Sequence, residues 1–307
     1  GWDIDGATST IQVYSADHFS NSVPDGTAIN FIAEGAAVGN RCETKDGGCN
    51  VVFRSQNLRP DNGRITLMAF AVGEEAFVDG DGSGQANLNG ELVDANGKSS
   101  DLDEAYLDYN ENGQRDFVLG KDGNPTTALE PYQDFNADGL YSVADGLFNG
   151  ALCATGFAKC TTAKTVHVRQ SNVMVLSGSK AFFYDAKAAT TINYTVFPDP
   201  FVKIELPSKI DLGGCVSTDD LLLNPTVKTN VAVIPLNILV VDLNKNPMPI
   251  GTTISATIAD NGKLVGNTSW VVGDTSDGRG QTYIINMKSD ASVDGAGVCT
   301  DTTHSGV

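Results

Sequence analysis

The chain has 307 residues, 41% of them hydrophobic, which is enough for two ordinary cores or one large all-β unit, and its formal net charge is −18. Most of that charge is local: residues 74–145 carry 17 acidic side chains against Lys98, Arg115 and Lys121, a net of −14. Such acidity excludes nucleic acid and anionic membrane surfaces as partners and favours cations.

Along the chain, short segments rich in β-branched residues alternate with clusters of Gly, Asn, Asp and Pro, and no long amphipathic helix is written. The pattern predicts an all-β protein. Strands are expected at residues 10–15, 27–33, 50–55, 64–71, 165–169, 172–176, 181–184, 190–197, 202–206, 232–241, 252–258, 269–272 and 282–287. The apolar run from Val231 to Val241 is broken by Pro235 and Asn237, so no membrane insertion is expected.

Between the fourth and fifth strands one pattern occurs three times: Glu75-Ala-Phe-Val-Asp79-Gly-Asp81-Gly-Ser83-Gly84, Glu104-Ala-Tyr-Leu-Asp108-Tyr-Asn110-Glu-Asn112-Gly113, and Glu130-Pro-Tyr-Gln-Asp134-Phe-Asn136-Ala-Asp138-Gly139. Oxygen-bearing side chains at positions 1, 3 and 5 with glycine at 6 describe a tight loop that wraps a hard cation. A block of like charge is ordinarily a solvated loop or tail. A solubilising segment, however, needs neither a glycine at a fixed offset nor an aromatic residue before each aspartate. Calcium suits these flexible oxygen donors better than magnesium, which demands octahedral geometry and keeps its waters.

The third loop is the most complete. Asp134, Asn136 and Asp138 are followed by Leu140, whose carbonyl falls at position 7, Ser142 at 9 and Asp145 at 12. The second has Asp108, Asn110, Asn112, Gln114 and Asp116 in register, but Leu119 at 12. The first has Asp79, Asp81, Ser83, Gln85 and Asn87, with Gly90 at 12 and Glu91 one place beyond. Both need an acid from elsewhere. Glu75, Glu104 and Glu130, each four residues before position 1, are the candidates, a glutamate of one copy closing the cage of a neighbour around several Ca2+ ions. These loops resemble those of dockerins and thrombospondin type 3 repeats more than a helix-loop-helix hand.

Six cysteines allow 15 pairings. Cys42/Cys49 and Cys153/Cys160 are each seven apart across turn-forming residues, so local bridges are expected there, leaving Cys215 with Cys299. Zinc is disfavoured: no CxxC pair occurs, and His18, His167 and His304 are scattered. Disulfides together with calcium loops point to an extracellular setting. No signal peptide opens the chain, so this expectation rests on the chemistry alone.

An internal repeat sets the domain count. Residues 17–29, beginning Asp17-His-Phe-Ser-Asn21, lie over residues 242–254, beginning Asp242-Leu-Asn-Lys-Asn246, at an offset of 225 with six of thirteen positions identical. In each copy a strand leaves through a polar turn, Pro fixes φ, Gly follows, and Thr-x-Ile resumes the pleat. With Val23-Pro24-Asp25-Gly26-Thr27, Ile29 and Phe31, this motif resembles the group 1 bacterial immunoglobulin-like domains of invasin- and intimin-type surface proteins. The resemblance implies tandem immunoglobulin-like β-sandwiches, used as stalk or adhesive modules at the bacterial cell surface. The expected division is residues 1–171, a sandwich interrupted by a loop-rich calcium-binding insertion at 73–153, and residues 172–307, a second sandwich.

No GxSxG, HExxH, P-loop or dinucleotide fingerprint occurs. The abundant carboxylates that would suit a glycoside hydrolase are already claimed by the loop spacing. A carbohydrate-binding module would need more exposed aromatics than Trp2 and Trp270 supply. The expected function is therefore that of a non-enzymatic, calcium-stiffened module of a surface adhesin or stalk, with an unidentified surface receptor or neighbouring domains of a larger protein as partners. A carbohydrate-binding module is the alternative, and a glycoside hydrolase the more distant one.

Overall fold

Strand β5 (Gly48–Arg54) shows how the chain's period-2 patterning becomes structure: Val51 and Phe53 are buried while Asn50, Val52 and Arg54 face solvent. The computed structural model of the chain describes residues 1–94, 96–120, 123–186, 210–212, 233–258, 262–278, 280–290 and 305–306. The described residues are all-β, with antiparallel sheets and, besides strands, one 3-10 turn at Asn89–Glu91. The chain divides into two compact units, Gly1–Leu176 and Ser177–Val307. The first ends later than residue 171 because 165–169 and 172–176 are not two strands. They form one, β9 (Val166–Val175), which pairs with β6 (Arg64–Gly73) along its whole length.

In the first unit β1 (Thr8–Tyr14), β5 and β3 (Ala37–Val38) form one sheet in the order β1-β5-β3, and β4 (Arg41–Glu43), β2 (Ala28–Ala33), β6 and β9 form another in the order β4-β2-β6-β9. Ile11, Val13, Val51 and Phe53 of the first sheet meet Ile29, Phe31, Ile65 and Leu67 of the second in one core, so the two sheets make a sandwich. Cys42 and Cys49 are bridged at its margin.

Strand β6 is buried from Ile65 to Ala71, and apolar there except for Thr66, because both of its faces are covered. Its inner face supplies Ile65 and Leu67 to the sandwich core. On its outer face, Met68 and Phe70 pack against Ala105 and Leu107 of the second glutamate–aspartate copy. The acidic segment is thus seated on the β6–β9 sheet. Arg64 grips Glu111 with Nε and Nη2 at 2.6 and 2.7 Å, Thr66 Oγ1 donates to the Asp108 carbonyl, and Arg169 donates to Asp103. The hairpin β7 (Phe117–Leu119) and β8 (Pro125–Leu129) projects from the same segment.

The second unit contains the sheet β10-β12-β16-β14, formed by β10 (Phe182–Asp185), β12 (Ile234–Val241), β14 (Lys263–Val265) and β16 (Gln281–Lys288). Beside it, β13 (Thr253–Ser255) pairs with β15 (Ser269–Val271), and β11 (Ile210–Asp211) pairs with β17 (Ser305–Gly306). The expected strands at 190–197 and 202–206 and the pair Cys215/Cys299 lie outside the described residues.

The sequence repeat is a repeat of hydrogen bonds. Asp17 N donates to Asn21 O and Asp242 N to Asn246 O, both at 2.8 Å. Asn21 N and Asn246 N each donate to Oδ1 of their aspartate at 2.8 Å. Thr27 and Thr252 each donate through N and Oγ1 to Pro24 O and Pro249 O. Strand pairing repeats too: β1-β5-β3 corresponds to β12-β16-β14, and β2-β4 to β13-β15.

Candidate metal centre

Each aspartate at position 1 folds its loop the same way. Its Oδ1 accepts the amide at position 5 and its Oδ2 the amide of the position-6 glycine: Asp79 from Ser83 (3.0 Å) and Gly84 (2.8 Å), Asp108 from Asn112 (3.1 Å) and Gly113 (2.6 Å), Asp134 from Asp138 (3.2 Å) and Gly139 (2.8 Å). The three glycines have φ of 74°, 79° and 76°, a conformation that side chains resist. The side chain at position 5 then accepts the amide at 7: Ser83 from Gln85, Asn112 from Gln114, Asp138 from Leu140.

Every loop is closed by a buried glutamate whose two oxygens accept the amides at positions 2 and 9. In the first loop this is Glu91, 3% exposed and delivered by the 3-10 turn, which takes Gly80 N and Asn87 N at 3.0 Å each. In the second it is Glu130, wholly buried, which takes Tyr109 N at 2.7 Å and Asp116 N at 3.2 Å. In the third it is Glu104, which takes Phe135 N at 2.8 Å and Ser142 N at 2.9 Å. The second and third copies have therefore exchanged glutamates. The β7–β8 hairpin explains half of this: Leu119, at position 12, leaves as a strand, and the returning chain sets Glu130 N on the Asp116 carbonyl at 3.0 Å. Antiparallel pairing of Tyr106 with Tyr132 does the rest, relating the two copies by an approximate twofold.

Glu75 and Asp145 fall elsewhere than the loop spacing suggests. Asp145 does not close the third loop; its Oδ1 accepts Leu147 N at 2.9 Å, and Gly146 N donates to Asp101 Oδ2. Glu75, 1% exposed, accepts Leu102 N at 2.9 Å and Asn149 N at 2.7 Å. Part of the loop pattern is thereby assembled from two chain segments, Asp101-Leu102 and residues 145–149: Glu75 takes the amides at positions 2 and 9, Gly146 at φ 77° meets Asp101 Oδ2, and Asp145 accepts the amide at 7, while Asp101 Oδ1 is buried without the position-5 amide. Sequence spacing could not reveal this split loop, because its halves are far apart in the chain.

The insert also has a small core of its own. Phe77 packs edge-on to Phe148, whose centroid is 5.7 Å away, and His18 lies 5.1 Å from Phe77. Tyr106 and Tyr132 both contact Tyr141, and Arg115 stacks over Tyr132 and Tyr141 at 4.8 and 4.5 Å. At the insert's base, Glu74 Oε1 lies 3.0 Å from His18 Nε2, and its Oε2 accepts Ala151 N at 2.7 Å. Gly150 makes room for this clasp, since a Cβ there would lie 2.6 Å from Glu74 Oε2. The Cys153–Cys160 disulfide follows directly.

Electrostatics reflect the crowding. Burial pushes the Glu75 and Glu130 carboxyls above the usual carboxylate range. Glu34 beside the second loop is pushed up to about 8 by burial, with Glu111, Glu130 and Asp108 adding to it. Backbone amides, that of Asn87 foremost, hold Glu91 below its ordinary value, and the Asn87 side-chain amide does the same for Asp81. Asp79, Asp81 and Glu91 offer oxygens that all lie within 4.8 Å of one another. Two oxygens bound to one calcium at about 2.3–2.6 Å are at most about 5 Å apart, so this set fits that ion. The Asn87 Oδ1 beside it is buried without a hydrogen-bond partner. In the second and third loops no three carboxylates approach as closely; there Asn110, Asn112 and Asn136 supply amide oxygens in their place.

No family model, curated protein or solved structure matches the chain. The chemistry of the insert must therefore be read from its own residues.

Proposed function

We propose that the chain is a calcium-stiffened extracellular module of a bacterial surface adhesin or stalk. The observation that carries this reading is the glutamate closure, in which a buried carboxylate grips positions 2 and 9 of every loop; in the first loop the oxygens of Asp79, Asp81 and Glu91 lie within 4.8 Å of one another. Asp79, Asp81, Ser83, Gln85 and Glu91 would hold one ion. Asp108, Asn110, Asn112, Gln114, Asp116 and Glu130 would hold a second, and Asp134, Asn136, Asp138, Leu140 and Glu104 a third. Glu75, Asp101 and Asp145 form the corresponding split set. A bound cation would neutralise the crowded carboxylates, Glu75 and Glu130 among them, which burial alone drives towards protonation, and so convert local repulsion into cross-links between chain segments.

The mechanical role follows from where those cross-links fall. The insert is seated on β6 and β9 of the sandwich, so ordering the loops stiffens one face of the module. The two local disulfides are compatible with an extracellular location. Among the described residues no helix is long and apolar enough to cross a membrane. The repeated turn, with the same hydrogen bonds in both units, supports tandem immunoglobulin-like modules and hence an extended surface protein. Calorimetric titration of the metal-free chain with calcium is expected to give one ion per closed loop, and Asp79→Ala to remove one of them. The absence of any binding heat at millimolar calcium would reject the reading.

A further inference from the structure

Because the two units repeat the same strand pairing, each can be used to read what the other lacks. In the second unit β12 is an inner strand, flanked by β16 on one side and β10 on the other. Its counterpart β1 has β5 on one side and, among the described residues, no strand on the other. The backbone directions agree. Ser15 N donates to Gly47 O and Ser55 N to Ala7 O, so the odd-numbered residues of β1 address β5, and Thr8, Thr10, Gln12 and Tyr14 address the open side. At an offset of 225, Gln12 and Tyr14 correspond to Asn237 and Leu239. The Asn237 carbonyl accepts Ala186 N at 2.9 Å from the chain just after β10, and Leu239 is paired with Tyr184.

Two further observations mark the edge as a receptor. In the second unit Asp242 Oδ2 accepts Gly178 N, from the segment that leads into β10, at 2.7 Å. The equivalent Asp17 is exposed, and among the described residues its Oδ2 accepts the Asn21 side chain of its own turn and no backbone amide. Leu239 is 3% exposed in a cluster with Tyr184 and Val241, whereas Tyr14 is 73% exposed. Free edges are normally blunted by lysine, proline or shortness. Strand β1, Thr-Ser-Thr-Ile-Gln-Val-Tyr, has seven residues with no charge and no proline.

We infer that the β1 edge, from Thr8 to Asp17, is a docking site for an extended strand donated by a partner chain and laid antiparallel as β10 lies on β12. The occupant is a segment of the Gly178–Tyr184 kind: a small residue whose amide meets Asp17 Oδ2, then alternating aromatic residues, the second of them facing Tyr14. Main-chain hydrogen bonds supply the affinity in this mode of recognition, and the side-chain alternation supplies the register. A second copy of the chain fits less well. Self-pairing that uses all four outward residues sets Thr8 opposite Tyr14 and therefore Asp5 opposite Asp17, two like charges between molecules of net charge −18.

The probe is a synthetic peptide of residues 177–186, titrated into the whole chain and followed by fluorescence anisotropy and amide hydrogen exchange. Saturable binding is expected, with exchange slowed about tenfold or more at Thr8, Thr10, Gln12 and Tyr14 and little changed in β12. N-methylation of the peptide's Tyr184 nitrogen, which removes a donor facing the edge, is expected to weaken binding about tenfold or more. Gln12→Pro in the chain removes an outward amide only and is expected to do the same. The peptide control stands even if that variant folds poorly. Protection in β12 instead of β1, equal binding of the N-methylated peptide, or no binding would overturn the proposal. Protection of the β1 amides in a concentration-dependent dimer without peptide would overturn it in favour of a second copy.

Discussion

Glu130→Ala is expected to destabilise the chain more than any other single change in the three acidic loops. The side chain is wholly buried and its oxygens accept three backbone amides, those of Tyr109, Asn110 and Asp116. Leaving a buried donor unpaired costs about 1–3 kcal/mol, so a loss of at least ~3 kcal/mol is expected even without metal. With calcium present the second loop also loses its closing acid, and the ion count falls by one while the first loop, closed by Glu91, keeps its ion. Glu104→Ala is expected to do the same to the third loop. Denaturant unfolding and a calcium titration of these variants read both effects. A Glu130→Ala chain with unchanged stability and ion count would show that the exchanged glutamates do not close the loops.

Met68→Ala and Leu67→Ala form an informative pair, because neighbouring residues of β6 point to opposite faces. Met68, 0% exposed, packs towards Ala105 and Leu107 of the insert; Leu67, 3% exposed, belongs to the sandwich core. Each truncation is expected to cost ~2–5 kcal/mol by lost transfer energy and a residual cavity. The consequences differ. Met68→Ala undocks the insert and is expected to open new protease cleavage sites within residues 73–153, whereas Leu67→Ala lowers the melting temperature without that local signature. Identical digestion patterns for the two variants would mean that β6 does not seat the insert.

Strand positions were legible wherever one face is buried, as in β5, because alternation there reports the pleat directly. The pairing of residues 165–175 into a single strand was not, since Gln170, Ser171 and Asn172 look like a turn. They are tolerated mid-strand because β9 is the exposed edge of its sheet, where polar residues need no burial. The loops themselves were written plainly in the spacing of Asp79, Asp108 and Asp134. What closes them was only half written. The idea that a glutamate serves a neighbouring copy matches Glu104 and Glu130, but Glu91 serves its own loop and Glu75 caps a site split between Asp101 and Asn149. Those assignments depend on a hairpin, a 3-10 turn and long-range pairing, which no local spacing encodes. The stacking of Arg115 on two tyrosines likewise depends on the fold.

The central claim, that calcium holds the insert in order, is tested most directly by thermal unfolding and limited proteolysis of the same chain in calcium and in excess chelator. The expected result is a lower melting temperature in chelator, together with new cleavage confined to residues 73–153 while the sandwich strands resist. Equal melting temperatures and identical digestion in the two buffers would contradict it.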